Sequence, residues 1–449
     1  MAERIARKVD AAGGRTFYVG GMVRDRVLGK ENKDIDIEIH GISAAQLRQI
    51  LESLGQLTEM GVSFGIFGLK GYDLDIAMPR SEKATGRGHK DFDVFVDPFL
   101  GTRKAALRRD FTMNALMEDV LTGEVLDYFG GIRDLKDGIL RHVNDRTFAE
   151  DPLRVLRGAQ FAARFEFSIA PETIALSKTM DLTALPKERV FAEMEKALLK
   201  AARPSIFFED LRRMQQLHDW LPELEALIGI EQDPRHHPEG DAWTHTMQVL
   251  DSAASLRNKA SDPLAFMLSA LAHDLGKAET TTKENGRIHA YGHDHAGVKI
   301  AGEMIARVTN EKKLAKYVCN MTAMHMRPNM LAEQKAGKKA AMKMLDASIC
   351  PEDLLLLAKA DRTGRRDAEG NRNTEAYLKR RLEQYHELME RPYVQGRDLV
   401  AAGEMPGPEF TQALAYAHKL RLAGVDKENA LRQTLSYLKT QDCRMPDNS

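Results

Sequence analysis

The pattern of apolar positions changes character after Gly130. Between Thr16 and Asp127, short runs rich in β-branched and aromatic residues alternate with glycine-rich turns and short helical stretches. Runs of this kind predict strands at 17–19, 35–39, 64–69, 74–77 and 125–128. The pattern therefore favours an α+β domain built on one sheet.

Beyond Gly130, apolar residues recur at helical spacing, most clearly from Asp151 to Phe165 and from Lys187 to Lys200. Breaks rich in proline, glycine and histidine interrupt this pattern near 233–240, 364–373 and 404–408. A chain of 449 residues exceeds what one hydrophobic core holds, so we expect several domains. The breaks predict an α+β domain over 1–140, helices over 141–232, a histidine-rich helical domain over 233–365 and a helical tail over 366–449.

Composition narrows the class of protein. Lysine and arginine number 65 against 66 acidic residues, so any nucleic-acid site must be a local basic patch. The cysteines Cys319, Cys350 and Cys443 are isolated, which argues against disulfides and thiolate metal sites and fits a reducing cytoplasm. No stretch reaches the roughly 20 apolar residues of a membrane span, so no membrane association is expected.

A glycine pair and three aspartates suggest phosphate chemistry in the α+β domain. Gly20 and Gly21 follow a predicted strand and precede a short helix, where backbone N–H groups can approach phosphate closely. Asp34 and Asp36 alternate along the next strand and so share a face. With Asp75 on a separate strand, they predict a Mg²⁺ site.

A lone Asp-x-Asp more often marks the exposed face of an edge strand than a metal site. The surrounding sequence changes this balance. GGMVRD with KDID, then RRDFTMNAL and EDPLRVLRGAQFAARF, resembles in order and spacing the class II tRNA nucleotidyltransferases, which are the CCA-adding enzymes, and the bacterial poly(A) polymerases. The resemblance covers about residues 15 to 200 and implies a polymerase β-like nucleotidyltransferase head followed by an all-α neck, body and tail.

The resemblance also assigns roles to residues. It implies that Asp34 and Asp36 are the catalytic metal-binding pair, with Asp75 as a third carboxylate. Nucleotide-binding roles are implied or suggested for Gly20, Gly21, Arg24, Arg109, Asp110, Asn114, Asp151, Arg154 and Arg157. Among these, Arg109, Asp110 and Asn114 correspond to the ribose-contacting motif, and Asp151 and Arg154 are candidate readers of the base.

The Asp151-Pro152 pair and the segment between Ala77 and Arg103 need separate interpretation. Asp151 followed by proline is also an ordinary helix cap with proline at the first helical position. The charged, glycine-containing segment between Ala77 and Arg103 lies where the related enzymes carry a flexible loop, and we expect a loop there.

A second constellation lies in the histidine-rich part. His245, His273-Asp274 and Asp361 occur in the order found in HD-domain phosphohydrolases, which LSALAHDLGK also resembles. Such residues can hold a divalent cation, a transition metal or Mg²⁺, and leave water free to attack phosphorus. Further candidates for a second metal or a phosphate are His293, His295 and His325, with Lys277 for anionic oxygens.

The resemblance implies an enzyme that adds CCA to tRNA 3′ ends from CTP and ATP. Some bacterial CCA-adding enzymes carry an HD domain associated with 2′,3′-cyclic phosphodiesterase, 2′-nucleotidase and phosphatase activities. Alternatives are a poly(A) polymerase, a partial enzyme that adds only CC or only A, an HD phosphohydrolase with a non-catalytic head, and a non-catalytic RNA-binding protein. Basic clusters in the tail could contact RNA, but a solvated helix face explains them equally well.

Overall fold

The structure is a computed structural model, which describes residues 1–32, 34–59, 66–84, 92–235, 237–363 and 368–442. The chain forms two compact units. The first comprises Met1–Glu225 with Arg307–Thr309, and the second comprises Ala226–Ala306 and the chain from Asn310 onward.

A seven-stranded mixed sheet is the framework of the first unit, in the order β3-β4-β5-β2-β1-β8-β9. The strands of the N-terminal region are β1 Arg15–Val19, β2 Ile35–His40, β3 Leu57–Glu59, β4 Ile66–Leu69, β5 Leu74–Ala77, β6 Arg80–Ala84, β7 Phe92–Val96, β8 Met117–Asp119 and β9 Val125–Leu126. Strands β2 and β5 are parallel, and the other neighbours in this sheet are antiparallel.

Helices of the N-terminal region pack against both faces of the sheet. The helices of this region are α1 Ala2–Ala11, α2 Gly21–Val27, α3 Ala44–Glu52, α4 Thr102–Leu107 and α5 Gly131–Asp137. Ile5 of α1 and Leu47 of α3 are fully buried in one core with Ile37 and Ile39 of β2. Alternation along β2 therefore buries the isoleucines and leaves the carboxylates on the opposite face, as the sequence predicts.

The segment expected to be a loop contains a hairpin instead. Strands β6 and β7 pair antiparallel from Arg80↔Val96 to Ala84↔Phe92, and residues 85–91 between them lie outside the described residues. The alternating run FDVFV carried a strand signal that the neighbouring glycines and charges obscured.

Helices take over after α5, as expected. The first unit continues with α6 Asp145–Ala149, α7 Leu153–Phe165, α8 Pro171–Ser177, α9 Lys187–Lys200, α10 Ser205–Arg213 and α11 Pro222–Glu225. Helix α7 packs against α9 and α10. A short parallel pair, β10 Ile139–Leu140 and β11 Ser168–Ile169, was not predicted. Helix α7 begins at Leu153 and not at Asp151, because Asp151 and Pro152 form the turn before it.

Over its described residues, the second unit is helical apart from one hairpin. Its elements are α12 Ala242–Leu256, α13 Pro263–Ala272, α14 Lys277–Thr280, β12 Thr282–Glu284, β13 Arg287–His289, α15 His293–Val308, α16 Lys312–Met324, α17 Met326–Glu333, α18 Lys338–Ala347, α19 Pro351–Thr363, α20 Ala368–Glu390, α21 Gly396–Ala401, α22 Glu409–Leu422 and α23 Lys427–Asp442. Helix α13 is almost entirely buried against α12, α16 and α19. Over the described ranges, none of the helices combines the length and the apolar character that crossing a membrane requires.

Candidate functional sites

Three carboxylates converge on the face of the sheet opposite α1 and α3 in the first unit. Asp36 of β2 pairs in parallel register with Asp75 of β5, so their side chains stand on neighbouring strands and on the same face. Asp34 lies just before β2. Burial raises the pKa of Asp36, the charges of Asp75 and Asp34 raise it further, and Arg109 opposes them. A hard cation would relieve this repulsion, so the donor set fits Mg²⁺.

Asp36 lies at two adjoining cavities. The smaller, of about 290 Å³, is also lined by Asp75. The larger, of about 510 Å³, brings together Gly20, Gly21, Arg24, Asp34, Asp36, Arg109, Asp110, Asn114, Asp151, Arg154 and Arg157. Residues far apart in sequence that were selected for nucleotide binding thus line one space large enough for a small ligand.

The turn between β1 and α2 needs its first glycine. Gly20 has a φ of 62°, in the region where a side chain is strained. A Cβ on Gly20 would also stand 3.7 Å from Nη1 of Arg109, so the bare backbone leaves this side of the cavity open. The geometry agrees with a loop that an anionic group can approach, and the phosphate contact itself stays a prediction.

A chain of hydrogen bonds fixes the predicted ribose-contacting residues. Arg24 donates to Asn114 Oδ1 at 2.9 Å, Asn114 donates to Asp110 Oδ1 at 3.0 Å, and Arg157 donates to Asp110 Oδ2 at 2.6 Å. Burial alone would raise the pKa of Asp110, but Arg157 and the hydrogen bonds outweigh it and the pKa is lowered. Asp110 therefore stays ionised and holds Asn114 and Arg157 in place.

The two residues predicted to recognise the base, Asp151 and Arg154, also form hydrogen bonds within the protein. Arg154 donates to the carbonyl oxygens of Thr147 at 2.6 Å and Arg108 at 2.8 Å. Asp151 Oδ1 accepts from the backbone N–H of Leu153 at 3.0 Å, which is the local turn that the alternative reading of Asp-Pro expects. Both residues line the larger cavity, but in this conformation Arg154 also fastens α7 to the preceding backbone.

Glu38 is a member of this site that we did not predict. It is buried and accepts hydrogen bonds from His40 at 2.8 Å and from Arg109 at 3.1 Å. Burial would raise the pKa of Glu38, but His40 and Arg109 lower it. The signal was present in KDIDIEIH, because the alternation that aligns Asp34 with Asp36 continues to Glu38.

A second cluster, in the other unit, centres on the buried carboxylate of Asp274. Its Oδ2 lies 3.2 Å from His273 Nε2 and 3.5 Å from His245 Nε2, and Asp361 Oδ1 is 3.1 Å from His245 Nε2. The four residues proposed from the sequence thus meet in space. Asp274 Oδ1 faces the additional candidates His293 and His325, at 3.2 and 3.5 Å.

Backbone contacts orient three of these histidines in the same way. The Nδ1 atoms of His273, His293 and His325 each lie 2.7 to 2.8 Å from a carbonyl oxygen three residues earlier in the chain. A carbonyl accepts only from Nδ1–H, so the neutral ring directs an Nε2 lone pair into the cluster. Histidines that bind metals are commonly oriented like this. Among the described residues, two possible donor groups contain these histidines: His245 with His273 and Asp361, and Asp274 with His293 and His325.

Glu239 and His237 extend the cluster and were missed. Glu239 Oε1 lies 2.7 Å from His245 Nδ1 and 2.9 Å from His237 Nδ1. Burial would lower the pKa of His245, but the hydrogen bonds to Asp361 and Glu239 raise it to about 9. His245 therefore binds a cation only by exchanging its Nε2 proton. The stretch HHPEGDAW lacked a recognisable spacing, so only the fold reveals this contact.

Of the two remaining candidates, Lys277 lies beside the cluster and His295 does not. Lys277 is buried and donates to Asp274 Oδ2 at 2.6 Å, which places its ammonium beside the cluster. His295 does not belong to the cluster, since its side chain is 74% exposed and lies 3.3 Å from Asp294. A separation of two residues on a helix turns His295 well away from His293, and that spacing should have excluded it.

Comparison with known proteins agrees with this arrangement. Residues 16–141 match the poly A polymerase head domain, residues 166–228 match a probable RNA and SrmB-binding site of polymerase A, and residues 242–366 match the HD domain. A multifunctional CCA protein of Nitrosococcus oceani is 38% identical over 79% of this chain and 86% of its own length. The chain belongs to the multifunctional CCA protein family.

Another multifunctional CCA protein, from Stenotrophomonas maltophilia, is 36% identical over 91% of this chain and 99% of its own. The fold is that of a solved Thermotoga maritima CCA-adding enzyme complexed with tRNA, at 20% identity and a TM-score of 0.66 over 97% of this chain and 94% of that one. A CCA-adding enzyme in complex with CTP gives a TM-score of 0.68 at 21% identity, over 97% and 94% of the two chains.

Membership of the multifunctional CCA protein family confirms the resemblance inferred from the sequence, including the fold class. This chain is a nucleotidyltransferase with an HD domain, and both parts imply divalent cations. The comparisons do not test the individual site residues or the four-part division of the chain, which stay predictions.

Proposed function

We propose that this member of the multifunctional CCA protein family extends tRNA 3′ ends with C, C and A from CTP and ATP. The observation that carries the proposal is the pairing of Asp36 with Asp75, beside Asp34, at the edge of the cavity that the predicted nucleotide-binding residues line. The similarity to multifunctional CCA proteins and to the fold of CCA-adding enzymes supports the same reaction. We place the protein in the cytoplasm, where tRNA and nucleotides are available.

In this proposal, Asp34, Asp36 and Asp75 hold Mg²⁺. The cation would lower the pKa of the RNA 3′-hydroxyl and neutralise the triphosphate and the leaving pyrophosphate. The hydrogen bonds that link Arg24, Asn114 and Asp110 would hold these side chains in position in the same cavity. The protein thus contributes position and charge, and no residue forms a covalent intermediate.

The test is incorporation of each labelled nucleotide, with Mg²⁺, into tRNA transcripts that end before CCA, after C and after CC. Ordered addition of two C and one A supports the proposal. Continued addition of A alone would instead identify a poly(A) polymerase, and a stop after CC or a requirement for preformed CC would identify a partial enzyme.

The carboxylate assignment has its own test. We expect Asp36→Ala to reduce incorporation at least a thousandfold, because it removes a metal ligand at the reacting centre. Asp10→Ala, which removes an exposed carboxylate from α1, is the matched control and should leave the rate unchanged. Normal incorporation by Asp36→Ala would refute the metal site.

For the second unit, we propose a phosphohydrolase site that acts on 2′,3′-cyclic and 2′-phosphates of nucleotides. The support is the cluster around Asp274, in which the Nε2 atoms of several histidines face buried carboxylates and Lys277 lies beside them. These residues would hold a divalent cation that activates water. Lys277 would then neutralise charge on the phosphoryl oxygens.

Phosphate release from adenosine 2′-monophosphate, and ring opening of adenosine 2′,3′-cyclic phosphate, test this site in the presence of Mg²⁺, Mn²⁺, Co²⁺ or Ni²⁺. His273→Ala should abolish both reactions because it removes a buried ligand. His295→Ala changes an exposed histidine on the same unit and should be silent. Full activity of His273→Ala would disprove the assignment.

A further inference from the structure

An exposed aromatic pair stands at the end of the hairpin in the second unit. The Tyr291 side chain is among the most exposed large hydrophobic groups, at 80%. Its ring stacks on that of His289, with centroids 4.9 Å apart and planes 12° apart. One face of the Tyr291 ring thus packs on the imidazole of His289, while most of the Tyr291 side chain is exposed to solvent.

The pair belongs to the same cavity as the HD cluster. Tyr291 and His289 line a cavity of about 380 Å³ together with Asp274, Lys277, His293 and His325, among others. The chain itself fixes the proximity, since Tyr291 is two residues from His293 and their Cα atoms are at most about 7 Å apart. His293 Nδ1 also lies 2.7 Å from the carbonyl oxygen of Ala290, which ties the end of the hairpin to the cluster.

The hairpin holds the pair in position. His289 is the last residue of β13 and pairs with Thr282 of β12, while Gly292, with a φ of 78°, turns the chain directly after Tyr291. Strands β12 and β13 are mostly exposed, so the hairpin contributes little core. A large apolar ring kept exposed by an ordered element beside a polar cavity is typical of a binding surface.

We infer that Tyr291, backed by His289, is a stacking platform for the nucleobase of the substrate whose phosphate enters the HD cluster. This inference rests on the proposed phosphohydrolase function and extends it to recognition of the base. A flat ring offers a face that any base can stack on, because every base has a π face. The site would therefore prefer nucleoside phosphates to simple phosphate esters and would discriminate weakly among bases.

The decisive experiment compares Tyr291→Ala, Tyr291→Phe and the wild-type full chain on two monoesters. Adenosine 2′-monophosphate carries a base, and glycerol 2-phosphate does not. We expect Tyr291→Ala to raise KM about tenfold for the nucleotide with little change in kcat, which corresponds to about 1.4 kcal/mol of lost stacking. Hydrolysis of glycerol 2-phosphate should be unchanged, and Tyr291→Phe should behave as the wild type because the ring is kept.

Two further measurements make the result specific. Equilibrium dialysis of labelled adenosine 2′-monophosphate without added metal should show weaker binding by Tyr291→Ala than by the wild type. Tyr72→Ala, which removes another half-exposed tyrosine, is the control and should change neither binding nor KM. Nucleotide incorporation into tRNA should be normal in both variants, which verifies that each is folded.

The base can come from a free nucleotide or from the 3′-terminal nucleotide of RNA. Adenosine 2′,3′-cyclic phosphate and an oligonucleotide ending in a 2′,3′-cyclic phosphate distinguish these sources, and an increase in KM with either one supports the platform. Equal changes for glycerol 2-phosphate and the nucleotides, or no change for any nucleotide, would overturn it. A wild-type chain that hydrolyses none of these substrates would instead refute the phosphohydrolase function on which the inference rests.

Discussion

At the scale of single residues, the first unit contains a buried carboxylate whose charge is neutralised by an arginine. Asp110 is buried and is held ionised by Arg157 and by hydrogen bonds from Asn114 and the backbone of Phe111. Removing one member of a buried ion pair destabilises the protein by more than the intact pair stabilises it. The remaining charge is still removed from water but no longer has a partner. The stability of this wall of the cavity should therefore depend on the charge of Asp110.

We predict that Asp110→Asn lowers the free energy of unfolding by about 2 kcal/mol at pH 7. This is less than the loss of a partner from a fully buried ion pair usually costs, because the Arg157 side chain is partly exposed. The folded pKa of Asp110 is lowered, so its contribution is present above the unfolded pKa of about 3.9 and is lost as the pH falls through the folded pKa. Urea unfolding from pH 7 downward should show the difference between variant and wild type shrinking toward pH 3. A constant difference would contradict the assigned ionisation.

Glu239 supports a second prediction at this scale. Glu239→Gln replaces the carboxylate that faces His245 Nδ1, and loss of such an outer contact typically weakens metal affinity by 10 to 100 times. Calorimetric titration of the metal-depleted protein with Mn²⁺ or Ni²⁺ should show an increase in Kd of about tenfold. Glu231→Gln, at an exposed residue nearby, serves as the control, and unchanged affinity in Glu239→Gln would exclude the orienting role.

The sequence revealed residues that share a local spacing or a recognisable motif and missed those that meet only through the fold. Asp34 and Asp36 followed from strand alternation, and His273-Asp274 from its context. Glu239 could not be found, because its contact with His245 depends on how the chain turns before α12. The internal hydrogen bonds of Arg154 also required coordinates, since a helical spacing gives a face but not a partner.

At the scale of elements, close backbone approach fixes the HD motif against α15. A Cβ on Gly276 would collide with the carbonyl oxygen of His293 and would stand 2.6 Å from the backbone nitrogen of Gly297. Because both neighbours are backbone atoms, no side-chain rotation can relieve the collision. Gly276 thus allows the backbone just after Asp274 to approach the backbone of His293 closely, and the two side chains can then interact.

We predict that Gly276→Ala destabilises the protein by at least 2 kcal/mol, since overpacking typically costs 1–3 kcal/mol and the obstacle here is backbone. Gly302→Ala is the matched control within α15, where a Cβ would meet Cys319 Sγ at 3.4 Å. It should be neutral or stabilising by up to about 1 kcal/mol through helix propensity. Thermal unfolding measures both, and equal melting temperatures would show that α15 can shift.

The elements themselves were predicted well where the pattern was long and periodic. Strand β2 and the helices α7 and α9 follow from apolar alternation or helical spacing to within a few residues at each end. The hairpins β6–β7 and β12–β13 were missed, because short exposed strands carry little apolar periodicity. The order of strands in the sheet depends on pairings between distant segments, which no local pattern specifies.

At the scale of the whole molecule, the two candidate sites lie in different compact units and differ in the side chains that line them. The larger cavity of the first unit is lined by Arg24, Arg108, Arg109, Arg154, Arg157, Arg164 and Arg189. The cluster of histidines and carboxylates lies in the other compact unit. Each proposed reaction therefore has its own set of residues.

We predict that the two activities can be removed separately. His273→Ala should retain normal nucleotide incorporation while losing phosphohydrolysis, and Asp36→Ala should show the reverse, because no residue is shared between the sites. Both assays are run on the same preparations, with the melting temperature as a check of folding. Loss of both activities in a folded single variant would show that the sites depend on each other.

The sheet of the first unit joins strands that lie far apart in the chain, and this affects how the chain folds during synthesis. Sheets that join distant segments form slowly, whereas helical regions rich in local contacts form fast. Val19 of β1 pairs with Met117 of β8, so the sheet remains open on one side until that distant strand has left the ribosome. The second unit is mostly helical and should fold quickly once translated, whereas the first unit has to wait for β8 before its sheet is complete.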